Sequence, residues 1–405
     1  MSESMLDRFL RYVQIDTTSD PNSETVPSTA RQTGFAKMLA EDCASLGLSG
    51  VTLSYEGVVM ATLPGNTEAP VIGFIAHMDT SSASPGEGIK PQVHKYQGGD
   101  LPLGHGLVLS PAEFPALARH AGQTLITASG NTLLGADNKA GIVEILAAME
   151  FLLNNPQIKH GTVRVALTPD EEVGHGADHF DVAKFGAAFG YTVDGGETGQ
   201  LEIESFNAAR AQITVAGKSV HPGTAKGVMK NAALVAMELN GLLPAGEIPA
   251  NTAGYEGFFH LDEIMGGVEH CSLDYIIRDH DQQKFAARKQ MMEQTVAAIN
   301  GKYGAGTAVL KLTDQYRNMR EVLERHPQVT ELAAKAMRIN GIEPVTNPIR
   351  GGTDGSRLSF MGLPCPNIFT GGANFHGPYE YIPVEEMGKA VKVIISICEL
   401  GCETL

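Results

Sequence analysis

The chain has 405 residues, 43% hydrophobic and 19% charged, a length and balance that suit two globular domains, each with its own core. Its net charge of −16, from 46 acids against 30 bases with no Lys/Arg block, argues against nucleic acid or an anionic membrane as a partner. No apolar run approaches the roughly 18 residues of a membrane span, and five scattered cysteines (Cys43, Cys271, Cys365, Cys398, Cys402) without a CxxC read as buried thiols of a cytoplasmic protein, not a disulfide framework.

The opening stretch MSESMLDRFLRYVQIDTTSD mixes charges into its apolar pattern, lacks the apolar centre of a signal peptide and is read as a first amphipathic helix. VIGFIA (71–76) has the length and composition of a buried strand, and His77 and Asp79 follow it directly. The stretch 81–132, rich in Gly, Pro and Ser and weakly periodic, is read as an elaborated loop region. GIVEILAAMEFLLNN (141–155) sets Ile142, Ile145, Leu146, Met149 and Leu152 on one helical face, with Asp137 just ahead of it. GTVRVALT (161–168) and AAFGYTVD (187–194) are again predicted strands, so the first half is an α/β sheet covered by helices.

After about residue 206 the pattern changes. A strand at 209–217, a helix at 229–243, strands at 257–265 and 270–279, a helix at 281–300 and a strand at 307–315 give β-α-β-β-α-β, the ferredoxin-like split arrangement. The expected fold is therefore a mixed, mostly parallel α/β sheet flanked by helices (1–205 and 318–405, closing in a helix near 383–399), with an inserted α+β domain at 206–317.

Acids and histidines gather where the predicted strands end. His77 and Asp79 follow VIGFIA, Asp170, Glu171 and Glu172 follow VRVALTP, and Asp194 ends YTVD. Open α/β sheets bind ligands outside the carboxyl ends of their strands. Each residue has a plainer alternative: Asp137 suits a helix N-cap, Asp194 a turn, His376 in GGANFHGP a loop histidine, and TPDEEVG a solvated turn. His77-x-Asp79 is the stronger signal, because that aspartate can accept from one ring nitrogen while the other binds a metal. Two imidazoles and three carboxylates without thiolates suit Zn²⁺, Co²⁺ or Mn²⁺, and five ligands fit two ions sharing a bridging carboxylate better than one. AGKS (216–219) lacks the glycine a phosphate loop needs, since Gln212 stands there, and RGGTDGS matches no dinucleotide fingerprint.

The motifs HMDTS, GADNKAG, TPDEEVG, YTVDGG, HPGTAKG, RGGTDGS and GGANFHGPYE, in this order and spacing, resemble the di-zinc metallopeptidase family that includes carboxypeptidase G and aminoacylase, over nearly the whole chain. The 81–132 segment and the closing GGANFHGPYEYIP look like its tripeptide aminopeptidase branch. The resemblance implies two Zn²⁺ per subunit, with Co²⁺ or Mn²⁺ as substitutes. Asp137 would bridge them, His77 and Asp194 completing one metal and Glu172 and His376 the other. It makes Glu171 the general base and Asp79 the residue that orients His77. If TPDEEVG stays extended, Glu171 and Glu172 point to opposite sides, and Asp170 is left as a turn or capping acid. The inserted domain becomes a lid, with a possible homodimer formed through it. His221 would reach the scissile carbonyl, and Arg278 and Arg350 would grip the carboxylate of a short peptide. The plainer alternatives are a loop histidine and two structural ion pairs.

Overall fold

The computed structural model describes residues 3–402, so Met1 and Ser2 of the expected first helix lie outside it. That helix runs Met5–Val13, with the Ser4 side chain accepting from the Asp7 amide at its start. The chain forms two compact units. The first runs to Ile203 and resumes over Met319–Asn347 and from Thr353 onward; the second holds Glu204–Asn318 together with Pro348–Gly352.

The first unit is built on a seven-stranded sheet. Its order is Ser49–Leu53, Val59–Leu63, Val163–Thr168, Ile72–His77, Phe189–Gly195, Asn367–Phe369 and Leu201–Glu202. The four strands from Val163–Thr168 to Asn367–Phe369 run parallel, and antiparallel strands close both edges. Ile72–His77 is buried along its whole length, as expected of a strand covered by helices on both faces. The helix Ala136–Asn154 packs on this strand, on Phe189–Gly195 and on the closing helix Val384–Leu400. Its approach is possible because residue 141 is glycine: a Cβ there would lie 2.0 Å from the Val193 carbonyl oxygen.

The stretch 81–132 is not the loop region expected from its composition. It contains the strands Gln92–Lys95 and Thr124–Thr127, which form an antiparallel sheet with Tyr381–Pro383, and a hairpin of Leu101–Gly104 with Leu107–Leu109. Tyr96, Leu103, Leu109, Leu117, Leu125 and Tyr381 give it a small core of its own. These strands are too short to show a period, and one of their partners is far away in sequence.

The second unit is a four-stranded antiparallel sheet, ordered Phe258–Gly266, His270–Asp279, Asn207–Ala216 and Ala308–Tyr316. Ala209, Ala211, Ile213 and Val215, with Cys271, Leu273, Tyr275 and Ile277, alternate inward and pack against the helices Ala232–Gly241 and Gln282–Tyr303. The short segment Pro348–Gly352 belongs to this unit by contact. The Ile349 amide donates to the Glu204 carbonyl (2.9 Å), His280 Nε2 donates to the Ile349 carbonyl (3.0 Å), and the Phe206 amide donates to the Gly351 carbonyl (3.2 Å). All five cysteines are free, and among the described residues no helix is long and apolar enough to cross a membrane.

Replacing Gly141 by Ala should push the helix Ala136–Asn154 off the sheet and lower stability by about 2 kcal/mol or more. A thermal melt that stays within about 2 °C of the parent chain would contradict this account of the packing.

Candidate metal centre

His77 is the last residue of its strand, level with Thr168 on the neighbouring strand, and Asp194 is the last residue but one of the strand on the other side. Nδ1 of His77 donates to the Asp79 carbonyl oxygen at 3.0 Å. That bond leaves Nε2 as the lone-pair nitrogen, and it faces Asp137 Oδ1 at 2.9 Å and Asp194 Oδ1 at 3.3 Å. A lone pair held between two carboxylates is stable only with a cation there, either a proton or a metal ion.

Asp137 is not the helix N-cap. Asp137 (φ −84°, ψ 101°) and Asn138 (φ −127°, ψ 38°) both lie outside the helical region, and the capping side chain is Asn138, whose Oδ1 accepts from the Gly141 amide (3.2 Å). The Asp137 carboxylate is thus turned away from the helix amides and spans both histidines. Oδ1 lies against His77, and Oδ2 lies 3.0 Å from His376 Nε2. The turn is held from behind by Glu380, whose buried carboxylate accepts from the amides of Leu134 (2.7 Å), Gly135 (2.9 Å) and Asp137 (3.1 Å).

The three acids of TPDEEVG separate because the chain turns, not because it stays extended. The strand ends at Thr168, and Asp170 takes a left-handed conformation (φ 59°). Its buried carboxylate accepts from the Ser28 amide (2.7 Å) and hydroxyl (2.5 Å) and from Gln32 Nε2 (2.6 Å), pinning the start of the helix Ala30–Ser45. Asp79 then captures the next two amides, Oδ1 accepting from Glu171 (3.0 Å) and Oδ2 from Glu172 (3.1 Å). The expected carboxylate–imidazole contact is the weaker one: Asp79 Oδ1 is 3.3 Å from His77 Nδ1, and the Asp79 backbone carbonyl is the nearer acceptor.

Glu172 Oε1 lies 3.0 Å from His376 Nε2, is buried and makes no hydrogen bond among the described residues. Two groups of potential ligands result, His77–Asp137–Asp194 and Asp137–Glu172–His376, joined through Asp137. Ligand atoms on a tetrahedral zinc with bonds of about 2.0–2.1 Å sit roughly 3.3 Å apart. The separations of 2.9 to 3.3 Å fit such ions, as does the orphaned oxygen of Glu172. Glu171 is in neither group.

Without a metal the site must hold protons instead. Burial opposes a charge on His77, yet Asp194 and Asp137 override it and raise the imidazole well above its usual range. The carboxylates of Asp137 and Glu172 beside it raise His376 to about 11. Burial is the main force that lifts Glu172 to about 7 and Asp194 upward, and it lifts Glu171 well above the ordinary carboxylate range.

Two further acids border the site and carried no assignment from sequence: Glu380, described above, and Asp354 of RGGTDGS. Asp354 is buried, accepts from the Thr168 hydroxyl (2.9 Å), and fills the space beside Gly176, where a Cβ would lie 2.4 Å from its Oδ1. The available signal was an acid inside a glycine-rich motif, since bare loop amides suit a buried carboxylate.

His221, Arg278 and Arg350 belong to the second unit. The exposed His221 accepts from the Gly223 amide at Nδ1 (3.2 Å), which makes Nε2 its proton-bearing nitrogen. Arg278 Nη1 donates to the carbonyls of Ala209 (3.4 Å) and Ile277 (3.0 Å) and to Gln315 Oε1 (3.1 Å). Arg350 donates to the Gly254 and Glu256 carbonyls (2.8 and 2.9 Å) and to the Thr252 hydroxyl (2.9 Å), its guanidinium lying over Phe206 and Phe258. Both arginines therefore support their own unit, and among the described residues neither forms the ion pair considered as its plainer alternative.

The sequence profile of peptidase family M20/M25/M40 matches residues 132–400. Peptidase T from Geobacillus sp. strain WCH70 is 56% identical over 405 residues, covering 99% of each chain. Among solved structures, a tripeptidase from Staphylococcus aureus superposes with a TM-score of 0.80 at 21% identity, and aminopeptidase PepT from Bacillus cereus with 0.77 at 24%; each comparison covers 98% of both chains. At those identities the two structures bear on the fold alone.

Metal uptake should displace the protons that the bare site holds. Adding Zn²⁺ to metal-free protein in weak buffer at pH 7 is expected to release at least two protons per chain, from His77 and His376, with a further fraction from Glu172. Uptake without acidification would show that these imidazoles are not the ligands.

Proposed function

Because the chain belongs to peptidase family M20/M25/M40 and is thus a metallopeptidase acting on peptide substrates, we propose that it is a two-metal aminopeptidase that releases the N-terminal residue of tripeptides. The observation that carries the reading is the pair of ligand groups sharing Asp137, with the half-buried Glu171 beside them and outside both. The tripeptide preference is supported by the names of its relatives, Peptidase T above all. The ligand set of imidazoles and carboxylates favours Zn²⁺, with Co²⁺ or Mn²⁺ as substitutes. We place the reaction in the cytoplasm, in keeping with the free thiols.

Two dications held there would acidify a water molecule and polarise the scissile carbonyl. Glu171 takes the proton of that water on its carboxylate and passes it to the departing amine. Asp79 fixes the peptide amides of Glu171 and Glu172, so that one carboxylate serves as a ligand while its neighbour stays free to move protons. His221, with its proton on Nε2, donates to the oxyanion that develops on the carbonyl. The second unit acts as a lid that excludes water and measures peptide length. A peptide carboxylate is a stronger acceptor than the carbonyls now bound by Arg278 and Arg350, and would have to displace them to be gripped there. Leu234 and Met237, 62% and 63% exposed on the helix Ala232–Gly241, favour a homodimer formed through this unit.

The test is product analysis of metal-loaded enzyme given di-, tri- and tetrapeptides, free and N-blocked. Release of the first residue from free tripeptides is expected. Preferential cleavage of N-acylated substrates or of the C-terminal residue would replace the reading with a deacylase or a carboxypeptidase. Glu171→Gln should keep both metals and lower kcat by roughly 10²–10⁴-fold, and a smaller loss would remove Glu171 as the base.

A further inference from the structure

We infer that Glu380 is a positioning residue that sets the spacing of two ligands of the Asp137–Glu172–His376 group, Asp137 and His376. The inference rests on the two-metal reading above. Glu380 is 1% exposed, and its two oxygens accept three backbone amides from one turn, those of Leu134, Gly135 and Asp137. No side chain shares that role among the described contacts of this turn. Its own place is fixed on the other side. The segment from Ala373 to Tyr381 is closed by a two-way backbone bridge, Ala373 amide to Tyr381 carbonyl (3.0 Å) and Tyr381 amide to Ala373 carbonyl (3.1 Å). Within it the Glu380 amide donates to the Gly377 carbonyl (3.2 Å), and Asn374 Nδ2 donates to the Tyr379 carbonyl (3.2 Å). His376 stands inside this closed loop, in a left-handed conformation (φ 64°) that is uncommon for a residue other than glycine.

One carboxylate therefore ties the turn that presents Asp137 to the loop that presents His376. The other ligands arrive on separate supports: His77 and Asp194 on strands, and Glu172 on a turn held by Asp79. Loosening Glu380 should accordingly weaken the Asp137–Glu172–His376 group more than the His77–Asp137–Asp194 group. In Glu380→Gln the shape is kept, but an amide nitrogen cannot accept, so at least one of the three bonds is lost. Partners that hold metal ligands in place typically set 10–100-fold in metal affinity.

The experiment titrates Zn²⁺ into metal-free protein by calorimetry and counts bound metal after gel filtration. It also records the visible spectrum of the Co²⁺-substituted protein, for the parent, E380Q and E380D. Glu386→Gln is the control, because Glu386 is an equally buried carboxylate, holding Gln123, Thr198 and Lys389, with no ligand among its partners. The expected result is a 10–100-fold weaker second ion and an altered cobalt spectrum in E380Q and E380D, with the first ion changed less and E386Q retaining two ions. A folded E380Q that binds both ions with parental affinity and spectrum would overturn the inference while leaving the two-metal reading intact. Equal weakening of both ions, or loss of the fold in both Glu380 variants, would also overturn it, since the carboxylate would then be general scaffolding. A parent chain that binds fewer than two ions would overturn the two-metal reading itself.

Discussion

The governing constraint in this molecule is the mutual repulsion of carboxylates gathered at one sheet edge. Two like charges 4 Å apart repel by about 4 kcal/mol even at an effective dielectric near 20, and burial adds a desolvation cost for each. The chain meets that cost in two ways. Asp79, Asp170 and Glu380 are matched to peptide amides, which satisfy a carboxylate without adding a charge. Asp137, Asp194 and Glu172 face the two imidazoles instead, at 2.9 to 3.3 Å. The first set forms the walls, and the second supplies the potential ligands.

This division explains which parts of the site were legible in the sequence. The strands Ile72–His77, Val163–Thr168 and Phe189–Gly195 announce themselves as apolar runs, and because parallel strands end together, the acids and histidine after them had to meet. The inserted β-α-β-β-α-β unit was equally plain, because its sheet has one buried face and so alternates with period two. Composition misled over 81–132, where strands of three and four residues are too short to carry a period and pair with the distant Tyr381–Pro383. A motif also does not show which atom of a residue acts. Asp79 was legible as a partner of His77, but the carbonyl makes that contact, and the carboxylate serves Glu171 and Glu172. Asp137 looked like a cap because it precedes a helix, whereas its own non-helical backbone turns it toward the histidines. Glu380 gave no sign of its role, since its partners are backbone amides that any sequence would supply.

The same logic separates the acids of TPDEEVG. Their neighbours in the chain are identical in kind, and their fates follow from the conformation of Asp170 alone. By turning left-handed it directs its own side chain to Ser28 and Gln32 and offers the next two amides to Asp79. An extended backbone would leave those amides elsewhere and Asp79 without its partners.

The five residues Pro348–Gly352 bear on how this architecture can be exchanged between relatives. Although distant in sequence from Glu204–Asn318, they are held by Glu204, Phe206 and His280, and Arg350 closes on the 252–256 loop. The second unit is thus not a self-contained cassette. A chimera that transplants 204–318 alone would mate a foreign sheet with a native strip, placing Arg350 against whatever aromatic pair and loop the donor brings. Recombination that respects the molecule must carry both pieces, and substitutions in the short one are expected to co-vary with the long one.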